Sequence, residues 1–369
     1  MCTDTKNSLS PLVCRAERIL RQKVMTLPDA PAARSPGLPT EFYSEGDYWW
    51  PDPACPDGPY IKYDGRSNPR SFNRHRKLLI RQSVQIATLS EAFRMTRSPK
   101  FLKKAEAILR AWFMNPDTAM RPHLSYAQAI HRRCSGRSIG VIDSIHLAET
   151  ALAVRQKAFC EALDPETAAT VKEWFARYLA WLTTGSFGQE ERIHPNNHGT
   201  CYYLQCAAFA LLTENHALLE ELRHDFRERL LGFMDRRGAF PAELRRTKPY
   251  SYSLFQLNVL SGTAALLSRP EENLFLHVDR QGHSLALAAS FLYPYVTDKS
   301  AWPYARDIAY WKYWPNQPAF LFLCGYFLNQ PAWLRQWRHM RSDLKLFEVI
   351  RNTPIRMPRL WISHLLQEK

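Results

Sequence analysis

The residues best suited to chemistry lie in Pro195-Asn196-Asn197-His198-Gly199-Thr200. The proline closes a polar loop and a long proline-free run follows, so the asparagines and the histidine fall at a helix start. Asn is a preferred N-cap, and Asn196 can satisfy the first free backbone N–H groups. Asn197 and His198 then occupy the first turn, at the positive end of the helix dipole. That place favours an anion and disfavours a protonated imidazole. A neutral imidazole beside amide donors, facing a bound carboxylate, could abstract a proton. The plainer reading is a cap with a surface histidine, and these residues alone leave both open. If the helix is regular, His198, Tyr202 and Gln205 share one face.

Two further loops carry polar residues at odds with simple packing. One holds Ser125-Tyr126-Ala127-Gln128 together with Gly136-Arg137-Ser138-Ile139-Gly140 and Asp143. Its glycines could cradle a phosphate, but their spacing matches no nucleotide motif. The other is Glu243-Leu244-Arg245-Arg246-Thr247-Lys248-Pro249-Tyr250-Ser251-Tyr252, where cations and tyrosines precede a helix. A charge run of this kind is ordinarily a solvated face. His-Glu-x-x-His is missing, as are a compact Asp/His cluster and a Gly-x-Ser-x-Gly elbow, so neither a catalytic metal nor a serine nucleophile is indicated. No cofactor is implied.

The elements that must position these loops are mainly helical. Apolar residues recur at helical spacing, as in Leu79, Ile86, Leu89 and Phe93, and in Leu102, Ala105, Leu109, Trp112 and Phe113. Prolines mark the breaks, with proline-free runs over 123–164, 166–194, 196–240 and 271–293. Strand alternation bounded by hairpin signals is hard to find. The spacing predicts ten to twelve helices without a short repeat, arranged as a bundle or as a ring of antiparallel pairs around a cleft. Ser10-Pro11 opens a short helix within 1–26, a cap followed by proline. Residues 27–70 read as an irregular arm, since ten of the 25 prolines fall in the first 70 residues. Long loops of this kind often act as lids. Tyr48-Trp49-Trp50-Pro51 and Lys62-Tyr63 lie in it; Trp49 and Trp50 are expected to anchor the arm or line an edge, and Lys62 and Tyr63 to reach a cleft. Residues 71–369 form the main helical body.

Lys and Arg number 49 against 35 Asp and Glu, a formal charge of +14. Such a surface attracts polyanions, whether nucleic acid, anionic lipid or acidic polysaccharide. No nucleic-acid module matches the charge, and no apolar run is long enough to span a membrane. The eight cysteines form no CxxC pair, and Cys201 and Cys206 fall on an apolar helix, which points to buried free thiols. Met1 to Thr26 lacks an uninterrupted apolar stretch and does not read as a signal peptide.

Taken together and in order, the motifs resemble the alginate-lyase-like family of polysaccharide lyases. The resemblance rests on residues 42–53, Phe-Tyr-Ser-Glu-Gly-Asp-Tyr-Trp-Trp-Pro-Asp-Pro, and on Asp57-Gly58-Pro59-Tyr60-Ile61. It continues through Tyr126-Ala127-Gln128, Gly136-Arg137, Asn196-Asn197-His198-Gly199-Thr200, Glu243 to Pro249, Tyr252-Ser253-Leu254-Phe255 and Tyr293-Pro294-Tyr295, and ends at Trp302-Pro303. It implies an all-α, incomplete (α/α) toroid whose cleft holds a uronic acid polymer, cleaved by β-elimination. The family's Asn-His pair falls on Asn197 and His198, and its arginine and tyrosine fall best on Arg246 and Tyr252, with Arg245 and Tyr250 close by. An adjacent cation such as Arg246 would lower the pKa of Tyr252. Substrate contacts are expected from Lys62, Tyr63, Trp50, Tyr126, Gln128, Arg137, Tyr202, Arg245 and Tyr250. Cys201 and Tyr203 stand where many members carry Trp and Asp, a difference that bears on substrate identity. Members usually act outside the cytoplasm. Two other functions fit a helical toroid: a glycoside hydrolase using two carboxylates, for which Asp52, Asp143 and Glu243 are on offer, and a binder of polyanions without turnover.

Overall fold

The computed structural model describes residues 10–340, 342 and 344–365. Sixteen α-helices occur among them, more than the spacing predicts because several have only four or five residues. The first six are α1 Pro11–Leu20, α2 Arg74–Thr96, α3 Pro99–Phe113, α4 Leu147–Arg155, α5 Lys157–Cys160 and α6 Pro165–Thr184. Next come α7 Ser186–Arg192, α8 Asn197–Thr213, α9 His216–Asp225, α10 Pro241–Leu244 and α11 Pro249–Leu267. The last are α12 Leu285–Thr297, α13 Ala319–Phe327, α14 Pro331–His339, α15 Phe347–Arg351 and α16 Pro358–Ile362.

These helices form an incomplete (α/α) toroid. Helices α2, α4, α8, α11 and α13 pack in succession, each against the next, as an inner layer. Helix α3 lies outside α2, α6 and α9 outside α8, and α14 outside α13, while α16 reaches α4, α11 and α13. The sequence explains the division. Every residue of α11 is buried, as is nearly all of α8, and neither carries a charged residue or leaves a face to solvent, which is the mark of an interior helix. Helix α3 instead buries one stripe, Phe101, Ala105, Ile108, Leu109 and Trp112, and leaves lysines and arginines outside.

Aromatic packing joins the layers. Trp174 and Tyr178 of α6 meet Phe113 and Phe209, with ring centroids 4.9 and 5.6 Å apart. Each such pair adds about 1 kcal/mol beyond area burial. The Tyr178 hydroxyl is satisfied by Ser144 at 2.6 Å, and Ser144 donates to Gln205 at 2.7 Å. Cys201 and Cys206 are buried free thiols on α8.

The arm is more regular than the prolines suggest. It contains β1 Tyr43–Glu45, β2 Trp49–Trp50 and β3 Ile61–Lys62, and β4 Tyr126–Ala129 follows α3. Strand β1 pairs in parallel with β4, and β2 pairs antiparallel with β3, Trp49 opposite Lys62. Strands this short lack a readable alternation. The glycines at 136 and 140 serve this packing rather than a phosphate: a Cβ would lie 2.0 Å from Ser125 O at Gly136 and 2.7 Å from Ala127 O at Gly140. No helix among the described residues is long and apolar enough to cross a membrane.

Candidate active site

The start of α8 faces a cleft of about 340 Å³. Asn196 caps the helix, its side chain accepting from His198 N at 3.0 Å. The backbone N–H of Asn197 donates to Glu243 Oε1 at 2.8 Å, and its side-chain amide donates to Glu243 Oε2 at 2.7 Å. The helix end is therefore already supplied with acceptors, so the anion-binding role predicted for free amides passes to side chains. Burial raises the Glu243 carboxyl, against the pull of the Asn197 hydrogen bonds. Glu191, fully buried at the end of α7, sits 2.8 Å from His198 Nδ1. A carboxylate there accepts from Nδ1–H, which fixes the ring and leaves Nε2 as the nitrogen on the side away from Glu191. Gly199 permits the tight entry into α8, because a Cβ would lie 2.2 Å from His194 O.

The facing wall comes from the loop before α11. Arg246 binds Asp64 of the arm through Nε at 3.2 Å and Nη2 at 2.8 Å, and Thr247 donates to the same carboxylate at 2.9 Å. Burial opposes the Asp64 charge, but the Arg246 bonds bring its pKa down to about 2. Nη1 of Arg246 takes no part in this pair, and Arg246 lines the cleft. Its guanidinium lies 4.6 Å from the centre of the Tyr252 ring. The Tyr252 hydroxyl is 2.7 Å from that of Tyr48, which also accepts from Lys248 Nζ and Arg351 Nη2, each at 3.0 Å. The predicted lowering of the Tyr252 pKa is not found. Burial, then the neighbouring Tyr48, pushes it well above the ordinary value, and the pull of Arg246 does not offset them.

Beneath the cleft runs a buried ionic network. Asp47 pairs with Arg76 at 2.7 Å and Arg351 at 2.5 Å, and Arg76 reaches Asp143 at 2.9 Å. Asp143 also accepts from Ser44 and from Gln128. Glu348 pairs with both Lys248 and Arg351. Arg137 is held by the carbonyl and side chain of Gln128 and lies over the Trp49 ring at 5.6 Å. Among the described residues four cations line the cleft, Lys62, Arg137, Arg246 and Arg351, against the carboxylate of Asp47. Such a lining suits an anionic ligand.

Of the residues singled out in the sequence, Asn197, His198, Arg246, Tyr252, Lys62, Gln128 and Arg137 line this cleft. Six others do not. Tyr250 is buried, its hydroxyl donating to Tyr295 O at 2.8 Å, because residues two apart on a helix face opposite ways. Tyr202 is buried in the inner layer, since only the first turn of α8 reaches the cleft. Arg245 is exposed. Tyr63 is 43% exposed, on the side of the chain opposite Lys62, as alternation along an extended segment requires. Trp50 braces the arm internally, its Nε1 donating to Arg66 O at 2.9 Å. Tyr126 packs beside Gly37.

The sequence reading missed Asp64, Glu191, Tyr48 and Arg351. Tyr48 lies inside a motif already noted, Asp64 directly follows Lys62-Tyr63, and Glu191 stands near the end of α7, the helix before the Asn-His pair. Arg351 carries no local signal. None of the three carboxylates offered for hydrolysis lines the cleft: Asp52 accepts from Ala54 N at 2.9 Å, and Asp143 and Glu243 are buried and bound to protein donors. No group of three His, Cys, Asp or Glu residues among those described could hold a metal ion.

The alginate lyase family model matches residues 26–302. An alginate lyase from Bacteroides ovatus is similar in structure, with 29% identity and a TM-score of 0.81 over 92% of this chain and 91% of that one. Alginate lyase A1-III from Sphingomonas species A1 shares the fold at 14% identity and a TM-score of 0.53, covering 85% of each chain. A tetrasaccharide complex of A1-III aligns with a TM-score of 0.55 at 13% identity, over 86% of this chain and 81% of that one. No curated protein sequence matches the chain.

Proposed function

The chain belongs to the alginate lyase family and is a polysaccharide lyase; on that premise we propose that it cleaves alginate or a related polyuronate, such as glucuronan, by β-elimination. The observation that carries this reading is the meeting of Asn197, His198, Arg246 and Tyr252 in one cleft rich in cations.

The chemistry sets three demands. The proton on C5 of a uronate is acidic only when the adjacent carboxylate is neutralised. The enediolate that forms needs fixed donors in a site shielded from water. The bond to O4 then breaks, and O4 needs a proton. Arg246 supplies a permanent cation, and its Nη1 takes no part in the pair with Asp64. Asn197 offers the second N–H of an amide that Glu243 already orients. His198 adds the ring nitrogen opposite Glu191. Tyr252 carries the proton, taking it from C5 and returning it to O4. Lys62, Gln128 and Arg137 hold neighbouring sugars and their carboxylates. A product with a C4–C5 double bond remains at the new non-reducing end.

The test is incubation with a panel of mannuronate, guluronate and glucuronate polymers while following ultraviolet absorbance of the unsaturated product. Absorbance that rises with one or more polymers supports the reading. Reducing ends released without absorbance would mean hydrolysis, and binding with neither would mean a polyanion binder.

A further inference from the structure

Tyr48 has more hydrogen-bond neighbours than a bystander phenol needs. Its oxygen lies 3.0 Å from Lys248 Nζ, 3.0 Å from Arg351 Nη2 and 2.7 Å from the Tyr252 hydroxyl. A neutral phenol has two lone pairs and one proton. Lysine and arginine only donate, so they fill both lone pairs, and the Tyr48 proton must point at Tyr252. Tyr252 then accepts from Tyr48, and its own proton faces the cleft. Both cations are held from behind. Glu348 binds Lys248 and Arg351, and Asp47 binds Arg351 and Arg76. The side chain of Lys248 is 1% exposed, so water does not screen it. Arg351 comes from α15, beyond the residues matched by the family model.

We propose that Tyr48 is the positioning residue that holds the negative charge for Tyr252, the two phenols sharing one proton between them. This rests on Tyr252 being the proton carrier of a β-elimination. The working state has one proton fewer than two neutral phenols, with the charge on the Tyr48 oxygen, where Lys248, Arg351 and the Tyr252 hydroxyl all donate. As the C5–H bond breaks, its proton passes to the Tyr252 oxygen and the Tyr252 proton passes to Tyr48. The electron pair of C5–H enters the enediolate. When the C4–O4 bond breaks, the electrons leave on O4, which takes a proton from Tyr252 while Tyr48 returns its own. The pair ends as it began, and no co-reactant is consumed. The arrangement also accounts for a buried base: the high pKa of Tyr252 itself is no obstacle when the charge rests one oxygen further back.

The experiment is Tyr48→Phe in the full-length chain, which keeps the ring and removes only the hydroxyl. On a polymer that the wild type cleaves, kcat should fall at least about tenfold near neutral pH with KM within about threefold. The low-pH limb of the kcat profile should move about one unit or more towards alkali, since one unit is tenfold in the ionised fraction. The groups facing the pair are Lys248, Arg351, Arg246 and, behind them, Asp47, Glu348, Asp64 and Arg76; Tyr48→Phe leaves all of them in place. A limb that stays where it was would overturn the proposal, even if activity falls, because a packing role does not move it. If Tyr48→Phe does not fold, a fluorinated tyrosine at position 48, more acidic and nearly isosteric, should move the limb towards acid; an unmoved limb again overturns it. If the wild type makes no unsaturated product from any polymer, the elimination reading fails by itself. The shared proton is then read without substrate by titrating tyrosinate absorbance. One early-ionising phenol in the wild type that is lost in Tyr48→Phe supports the pair, and identical titrations refute it.

Discussion

Replacing Glu191 by glutamine tests how His198 is held. The Glu191 side chain is 0% exposed and 2.8 Å from His198 Nδ1. Glutamine has the same shape and still accepts a hydrogen bond, so only the charge is removed. A hydrogen bond to a charged group contributes about 1.5–3 kcal/mol against about 0.5–1.5 kcal/mol for a neutral one. The difference of about 1–1.5 kcal/mol, if expressed in the transition state, is roughly a tenfold loss of turnover. The ceiling is His198→Ala, which should cost at least ~10²-fold. The double variant should be no slower than His198→Ala alone, since both changes remove one interaction. Stability should move the other way. The second oxygen of Glu191 has no hydrogen-bond partner among the described residues, and a buried carboxylate is costly to desolvate. The glutamine variant should therefore melt at or above the wild-type temperature. Initial rates from the absorbance of unsaturated product and thermal melts by circular dichroism check both. Turnover within twofold of wild type would refute the argument, as would a loss of rate that merely follows a loss of folded protein.

Tyr252→Phe should remove most turnover while polymer binding stays nearly unchanged, the pattern of an interaction made chiefly in the transition state. Tyr250→Phe should keep turnover within about twofold and cost about 1–3 kcal/mol of stability, by leaving Tyr295 O unpaired; the reverse pattern would exchange their roles. Arg246→Ala should weaken both binding, measured by calorimetry, and turnover, because a carboxylate partner is lost in ground and transition states alike. Acid stability should report on Asp47. Burial opposes its charge, but Arg351 and Arg76 hold its folded pKa at about 2, below an unfolded value near 3.9. Its contribution of about 2.5 kcal/mol is thus present above pH ~4 and lost as pH falls through ~2. Urea unfolding of Asp47→Asn should show a flatter decline over that window than the wild type, although the variant is less stable at neutral pH.

The features legible in the sequence are those decided within a few residues. Asn196 caps α8 because its side chain meets a backbone N–H two residues away. The helical body follows from apolar spacing, and the burial of the free thiols Cys201 and Cys206 from the apolar run they lie in. The order of short motifs pointed to the family, and with it to a cleft that receives a polyuronate. What only the tertiary structure decided is which of two neighbours faces that cleft. Tyr250 and Tyr252 sit in the same apolar turn, and the packing of α11 sends one to Tyr295 and the other to Tyr48. Lys62 and Tyr63 differ by one step of an extended chain, and the pairing of β3 with β2 sets the step. The charges that govern the chemistry are more distant still. Asp64 meets Arg246 across 182 residues, and Asp47 meets Arg351 across 304. No local propensity encodes such pairs, because the free energy that holds a buried charge comes from where the whole chain brings its partner, and a charge run reads the same whether solvated or enclosed.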